Sequence, residues 1–212
     1  MTRAAAAAWF GDRAILVTCE DVDGRAEVYR QLKSALPDRR VRCGMRTVMV
    51  ESAAPDGGLL NEVSAALASP SGTSAAGREV GQQIEIDVHY DGPDLAEAAQ
   101  ALGLDVDALV QAHTAQAWLV AMMGFAPGFG YLMPDIPLRA DWSRLPRRAD
   151  PRVVVPPGSV AIAAGMSAVY PASMPGGWHL IGRTDAVLFD VGRSIPALLA
   201  PDDRIRFRES AR

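Results

Sequence analysis

From residue 118 onward, proline and glycine cut the chain into short apolar runs, and that pattern leaves little room for anything except β structure. The runs are 118–123, 153–155, 160–164, 179–183, 187–191 and 205–207. Each is too short for a packed helix, and turn residues bound each one, as in a closed or sandwiched sheet. Upstream, residues 84–90 alternate with period 2. Ile84, Ile86, Val88 and Tyr90 point one way, and Glu85, Asp87 and His89 the other. Between these regions Asp94 is expected to cap a helix ending near Gly103, and Asp105 to cap a second one over 106–114.

The N-terminal third reads differently. A strand at 14–18 precedes a helix over 23–36, with Val28, Leu32, Ala35 and Leu36 at helical spacing and Pro37 ending it. Residues 41–51 read as a strand pair or one long strand, and 59–67 as a short amphipathic helix. This β-α-β-α order predicts a small α+β layer. Residues 69–81 are mostly Ser, Ala, Gly, Pro and Thr and read as a linker. The expected class is α+β: a small α/β domain over residues 1–81, then a closed or sandwiched β domain over 82–212. The apolar stretch 4–10 has a faint signal-peptide character, but it runs straight into Gly11-Asp12-Arg13. It reads as a strand lead-in, so a cytoplasmic location is expected.

Two turn-rich segments carry unusual aromatic content. Residues 124–132 hold Phe125, Pro127, Gly128, Phe129 and Tyr131, and residues 170–184 hold Tyr170, Gly176, Gly177, Trp178 and Arg183. Glycine allows close backbone approach and proline stiffens the frame. Such loops either pack against a partner element or line a pocket, and two of them predict one site.

The charged candidates are few. His113 shares a helical stripe with Val106, Leu109 and Val110, so its ring points coreward. Its plain reading is a satisfied core residue; its functional reading is a proton-transfer group. His89 reads as exposed. Arginines 139, 144, 147, 148 and 152 cluster in a proline-rich connection. Arg139 and Arg144 read as solvated. Arg147 and Arg152 lie beside proline-stiffened backbone, which suits bidentate binding of carboxylate or phosphate, and Arg183 is a third candidate. Ser159 follows Pro157-Gly158 without the G-x-S-x-G elbow, so a turn hydroxyl facing the site or the backbone is the better reading.

Composition excludes several classes. The chain has 212 residues, 49% hydrophobic and 22% charged, and a net charge of −4, which argues against a general nucleic-acid binder. No apolar run approaches the roughly 20 residues that span a bilayer. Cys19 and Cys43 form no C-x-x-C pair and read as buried thiols, and the three histidines match no zinc spacing, so no metal is expected. The only lysine, Lys33, lacks a glycine-rich approach, so any ATP chemistry proceeds without a P-loop.

Taken together, these segments resemble the family of the 5-oxoprolinase B subunit, also called allophanate hydrolase subunit 1, which includes the Kip-type inhibitor of a sporulation kinase. The resemblance runs over nearly the whole chain. It starts at Gly11-Asp12-Arg13-Ala14 and continues through residues 88–95 and His113. It is strongest in 124–132, Pro146-Arg147, Pro151-Arg152, 155–160, Tyr170-Pro171, and Pro175-Gly176-Gly177-Trp178 with 181–184. It implies a cyclophilin-like barrel as the second domain and a complex with the paralogous 5-oxoprolinase C subunit (allophanate hydrolase subunit 2). The 5-oxoprolinase A subunit would complete an ATP-dependent lactam hydrolase. A fused version of the pair occurs in urea carboxylase. One departure is Ala164-Gly165-Met166-Ser167, where the family often has Gly-Gly-Gln-Thr.

On this reading the chain is an enzyme subunit with ATP as co-substrate. His113, Arg147 and Arg152 would be its catalytic groups. Phe125, Pro127, Gly128, Phe129, Tyr131, Ser159, Tyr170, Gly176, Gly177, Trp178 and Arg183 would line the place for a small amide or lactam. The alternative is a protein-binding regulator that inhibits a sensor histidine kinase, with the aromatic loops as its docking surface. Prolyl isomerisation rests on fold analogy alone. The chain cannot itself supply the Ser-Ser-Lys arrangement of amidase-type allophanate hydrolases, because Lys33 lies in an N-terminal helix.

Overall fold

The computed structural model describes residues 6–69, 81–135 and 138–210. The chain forms two compact units, Met1–Glu79 and Val80–Arg212. Most of the linker expected at 69–81 lies outside the described residues.

In the first unit, β1 (Ala6–Phe10), β2 (Ala14–Thr18), β3 (Arg40–Cys43) and β4 (Thr47–Glu51) make an antiparallel sheet in the order β1-β2-β4-β3. Residues 41–51 are thus a strand pair, and the lead-in before Gly11 is itself a strand. Helices α1 (Val22–Ala35) and α2 (Leu59–Ala68) cover one face. Ile15, Val17, Val48 and Val50 meet Val28, Leu32, Leu59 and Val63 there. The Asp21 carboxylate caps α1 by accepting from the Gly24 N–H at 2.7 Å. Buried Gln31 donates to the Ala66 and Ser69 carbonyls at 2.8 and 2.6 Å, covering acceptors that the end of α2 leaves open. Ala35, expected on the core stripe, is exposed.

The second unit holds β5 (Gln83–Val88), α3 (Leu95–Leu102), α4 (Val106–Ala115), β6 (Trp118–Met123), β7 (Gly130–Pro134), a 3-10 turn (Trp142–Arg144), β8 (Arg152–Val155), β9 (Ser159–Ala163), β10 (Met166–Val169), β11 (Met174–Gly176), β12 (His179–Arg183) and β13 (Arg204–Glu209). Seven strands form one sheet in the order β12-β9-β10-β7-β6-β13-β5, in which only the β13–β5 pair is parallel. Its two outer strands approach each other at a single bridge. His89 N–H donates to the Arg183 carbonyl at 2.8 Å, and Arg183 N–H to the His89 carbonyl at 2.9 Å. The sheet is therefore nearly closed into a barrel. Residues 187–191, expected as a strand, are loop. Their one ladder contact is the bridge Phe189↔Ala197, and Val187 and Val191 face solvent.

The alternation of β9 sorts two cores onto opposite faces of the sheet. Val160 and Ile162 enter the main core with Ile86, Val88, Trp118, Leu132 and Phe207. Ala161 and Ala163, with Ala168 of β10, face a smaller cluster of Phe129, Tyr170, Trp178 and Leu180. Three alanines leave room for three large rings.

Candidate functional site

The segment 124–129 is the hairpin between β6 and β7. It is closed by the Gly124 N–H on the Phe129 carbonyl and the Phe129 N–H on the Ala126 carbonyl. Gly128 has φ +82, and a Cβ there would lie 2.7 Å from Cβ of Phe189, so only glycine seats this turn against the 188–189 backbone. Phe125 takes φ +70 while 61% exposed. A phenylalanine held in the left-handed region costs energy that the surrounding turn must offset. Phe129 sits at the centre of the cluster, edge-to-face with Phe125 (5.4 Å), Tyr131 (5.0 Å), Tyr170 (5.4 Å) and Trp178 (6.3 Å). Pro127 is exposed on the same turn.

The second aromatic segment meets the arginine-rich connection. Gly176 pairs with Arg152 across the β8–β11 ribbon, and the Arg148 N–H donates to the Gly177 carbonyl at 2.8 Å. A Cβ on Gly176 would collide with the Tyr170 hydroxyl. Burial pushes the Tyr170 phenol up, and Tyr131 adds to this. Arg147, Arg152 and the Trp178 N–H pull the other way, so both guanidinium fields reach this phenol. Arg147 is exposed and makes no ion pair among the described residues.

Asp94 does not cap α3. It stands at the N-cap position, but its carboxylate makes no capping bond. Oδ1 accepts from Arg152 Nη2 at 2.7 Å and from Arg148 Nη1 at 3.0 Å, while Oδ2 accepts from the Leu180 N–H at 2.7 Å. Burial alone would raise this carboxyl. The Arg152 and Leu180 hydrogen bonds and both guanidinium charges outweigh that and hold it below the usual carboxylate range. Arg152 Nη1 and Arg148 Nε are buried with no hydrogen-bond partner among the described residues. The sequence pattern marked Arg147 and Arg152 and passed over Asp94 and Arg148. An aspartate before an apolar helix looks like a cap, and two adjacent arginines look alike.

His113 belongs to the other face of the sheet. It is fully buried in the main core, stacked on Phe207 at 4.5 Å and flanked by Trp118 and Trp142. Its Nε2 lies 3.0 Å from Ser167 Oγ, its Nδ1 lies 2.8 Å from the Tyr90 hydroxyl, and Ser167 Oγ–H donates to the Ala161 carbonyl. A carbonyl only accepts, so the Ser167 hydroxyl accepts from Nε2–H and Tyr90 O–H donates to Nδ1. Burial pushes the imidazole pKa down to about 3. The ring is thus neutral and satisfied at both nitrogens. His113, expected as a catalytic group, fills a core position, and the sheet stands between it and the aromatic cluster.

Two other expected site residues are engaged elsewhere. Arg183 Nε donates to Asp91 Oδ2 at 2.9 Å in an exposed pair, and Ser159 Oγ–H donates to the Pro156 carbonyl at 2.8 Å as a turn hydroxyl. The geometry brings together Phe125, Phe129, Tyr131, Tyr170, Gly176, Gly177, Trp178, Arg147 and Arg152. It leaves out His113, Arg183 and Ser159. Met166, at the family's glutamine position, packs against the aromatic cluster. Among the described residues, no group of three or more His, Cys, Asp or Glu side chains is placed to hold a metal ion, and no helix is long and apolar enough to cross a membrane. Neither Cys19 nor Cys43 forms a disulfide among the described residues.

The family model for the carboxyltransferase domain, subdomain C and D, matches residues 5–199. The 5-oxoprolinase B subunit of Escherichia coli O157:H7 is 46% identical over 127 residues, covering 58% of this chain and 56% of that protein. The protein of the same name from Haemophilus influenzae is 41% identical over 132 residues, covering 60% and 59%. The chain spans little more than half the length of these relatives. The crystal structure of TTHA0988 superposes with a TM-score of 0.75 at 29% identity, over 94% of this chain and 40% of that one. The Kluyveromyces lactis urea carboxylase shares the fold, with a TM-score of 0.69 at 16% identity over 98% of this chain and 22% of that one.

Proposed function

The chain belongs to the carboxyltransferase-domain family of subdomains C and D, and from that premise we propose that it is one part of an ATP-dependent lactam hydrolase of the 5-oxoprolinase type, working with the paralogous C subunit (allophanate hydrolase subunit 2) and the A subunit of that enzyme. The observation that carries this is the Arg147 guanidinium, exposed and without an ion pair among the described residues, whose charge, with that of Arg152, is felt at Tyr170 in the aromatic wall. A small ring bearing a carboxylate needs both parts: apolar faces for the ring and a fixed cation for the anion.

5-Oxoproline is a stable lactam, and phosphorylation of its amide oxygen by ATP would supply the missing leaving group. In this chain Lys33 lies within α1 with no glycine-rich loop before it, so the residues do not fit a P-loop, and the phosphoryl donor is left to the assembled complex. Arg147 and Arg152 would hold the carboxylate or the phosphoryl oxygens. Phe129, Tyr131 and Trp178 would exclude water, which strengthens those charges. The test is co-expression with the A and C subunits, followed by ATP-dependent glutamate formation from 5-oxoproline. Activity in the wild-type complex, with KM raised about tenfold by Arg147→Ala, supports the reading. A folded complex without turnover overturns it.

One observation favours a second reading. Phe125, Val153 and Val154 are large apolar side chains open to solvent. They suit a protein-docking surface, as a regulator that inhibits a sensor histidine kinase would need. Recovery of a histidine kinase on the tagged chain, lost in Phe125→Asp, would support that role instead.

A further inference from the structure

We propose that Asp94 is the positioning residue of the anion site: it fixes the Arg152 guanidinium beside Tyr170 and takes up Arg148, so that Arg147 and the Nη1 of Arg152 are left for ligand. This rests on the functional reading above.

The argument starts from charge and geometry. Pro146 to Arg152 carries three arginines on a short, proline-bounded connection. Without an anion they would repel one another and sample many rotamers. Asp94 removes that freedom for two of them. One of its oxygens receives both Arg152 Nη2 and Arg148 Nη1, and the other is tied to the β12 backbone at Leu180. The carboxylate is buried and held from three directions, so it has no slack to follow a moving guanidinium. Gly92 brings this segment close enough to serve. A Cβ there would strike the Leu180 carbonyl, so the segment leading into α3 lies directly on β12.

Each of these two arginines keeps one buried nitrogen without a hydrogen bond among the described residues, Arg148 Nε and Arg152 Nη1, but their anchoring is unequal. Arg148 has a second anchor in Glu97 at 3.3 Å, and its backbone is bound to Gly177. Arg152 has Asp94 as its one ion-pair partner among the described residues, and its Nη1 is buried and unpaired. An unpaired buried donor is costly unless something completes it. A carboxylate or phosphoryl oxygen reaching between Arg147 and Arg152 would do so.

The test uses the full chain with 5-oxoproline as probe, read by titration of tryptophan fluorescence, alongside guanidinium 15N NMR of Arg152. Arg152→Met should weaken binding about tenfold, and Asp94→Asn by a similar factor. Combined, they should lose less than about twofold more than either alone, because Asp94 acts through Arg152. Asp94→Asn should also free the Arg152 Nη rotation that the wild type restrains. A purely structural role would lower the melting temperature and leave the double-mutant cycle additive, which overturns the proposal. So does unchanged binding in Asp94→Asn when Arg152→Met has lost it; that result sinks the Asp94 role alone. A wild type that does not bind, or an Arg152→Met chain that binds as well as wild type, sinks the site reading and this role with it. If Asp94→Asn does not fold, Asp94→Glu keeps the charge and shifts it by one methylene. Several-fold weaker binding is then expected, and unchanged binding overturns the proposal.

Discussion

The second unit buries two polar hubs, and they are built on opposite principles. On the main-core face, His113 is neutral, stacked among aromatic rings, and linked from Tyr90 through to Ser167 and the Ala161 carbonyl with every ring nitrogen engaged. Where the segment entering α3 meets β12, Asp94 is charged, shared by two arginines, and surrounded by donors that are not all used. A closed chain of neutral hydrogen bonds specifies a fold and offers nothing to a ligand. A charged cluster with unused donors gives up stability and keeps capacity for an anion. Sequence motifs weight both hubs equally, and the difference lies in how completely each is satisfied.

The largest effect should come from breaking the closed hub. His113→Ala removes a buried ring and leaves the Tyr90 hydroxyl without its acceptor and Ser167 without its donor, which should cost about 4 kcal/mol in denaturant unfolding. The same hub sets an acid limit. The folded-state pKa of His113 lies near 3, below its ordinary 6.5, so the unfolded chain binds more protons between those values. The contribution is fully present above pH 6.5 and disappears as the pH falls toward 3, on the order of 5 kcal/mol in all. Unfolding free energies measured across this window should decline with acid in the wild type. They should decline much less in His113→Phe.

The open hub should respond in the reverse sense. Arg147→Ala should leave the melting temperature within about 1 °C and still weaken 5-oxoproline binding about tenfold. An equal loss of stability would erase the contrast between the two hubs. The smallest effect concerns the turn between β9 and β10. Ala164 sits at φ +50, next to Gly165 at φ +81. Ala164→Gly should raise stability by about 0.5–1 kcal/mol, seen as a shift in the denaturation midpoint.

Much of this fold is legible in the residues. The strand at 14–18 followed by α1, the cap at Asp105, the left-handed Gly103 and the alternation along β5 all appear where local patterning requires them, while the expected β-α-β-α order is β-β-α-β-β-α. Residues 187–191 misled because an apolar run without a partner strand is not a strand. Asp94 misled because the local signal of a cap is the same whether or not the carboxylate turns elsewhere, and its three partners lie 54 to 86 residues away. The stripe of His113 showed that the ring points inward. Only the strand pairing reveals which face of the sheet it enters.

The alanines at 161, 163 and 168 have a meaning beyond packing. They form a floor beneath the aromatic wall, and their side-chain volume determines how deeply Phe129, Tyr170 and Trp178 sink. The shape of the wall can therefore be retuned from below, one methyl group at a time, without altering any residue a ligand would touch. Variation at three small, buried and chemically silent positions is a route by which relatives of this fold could diverge in the size of what they hold.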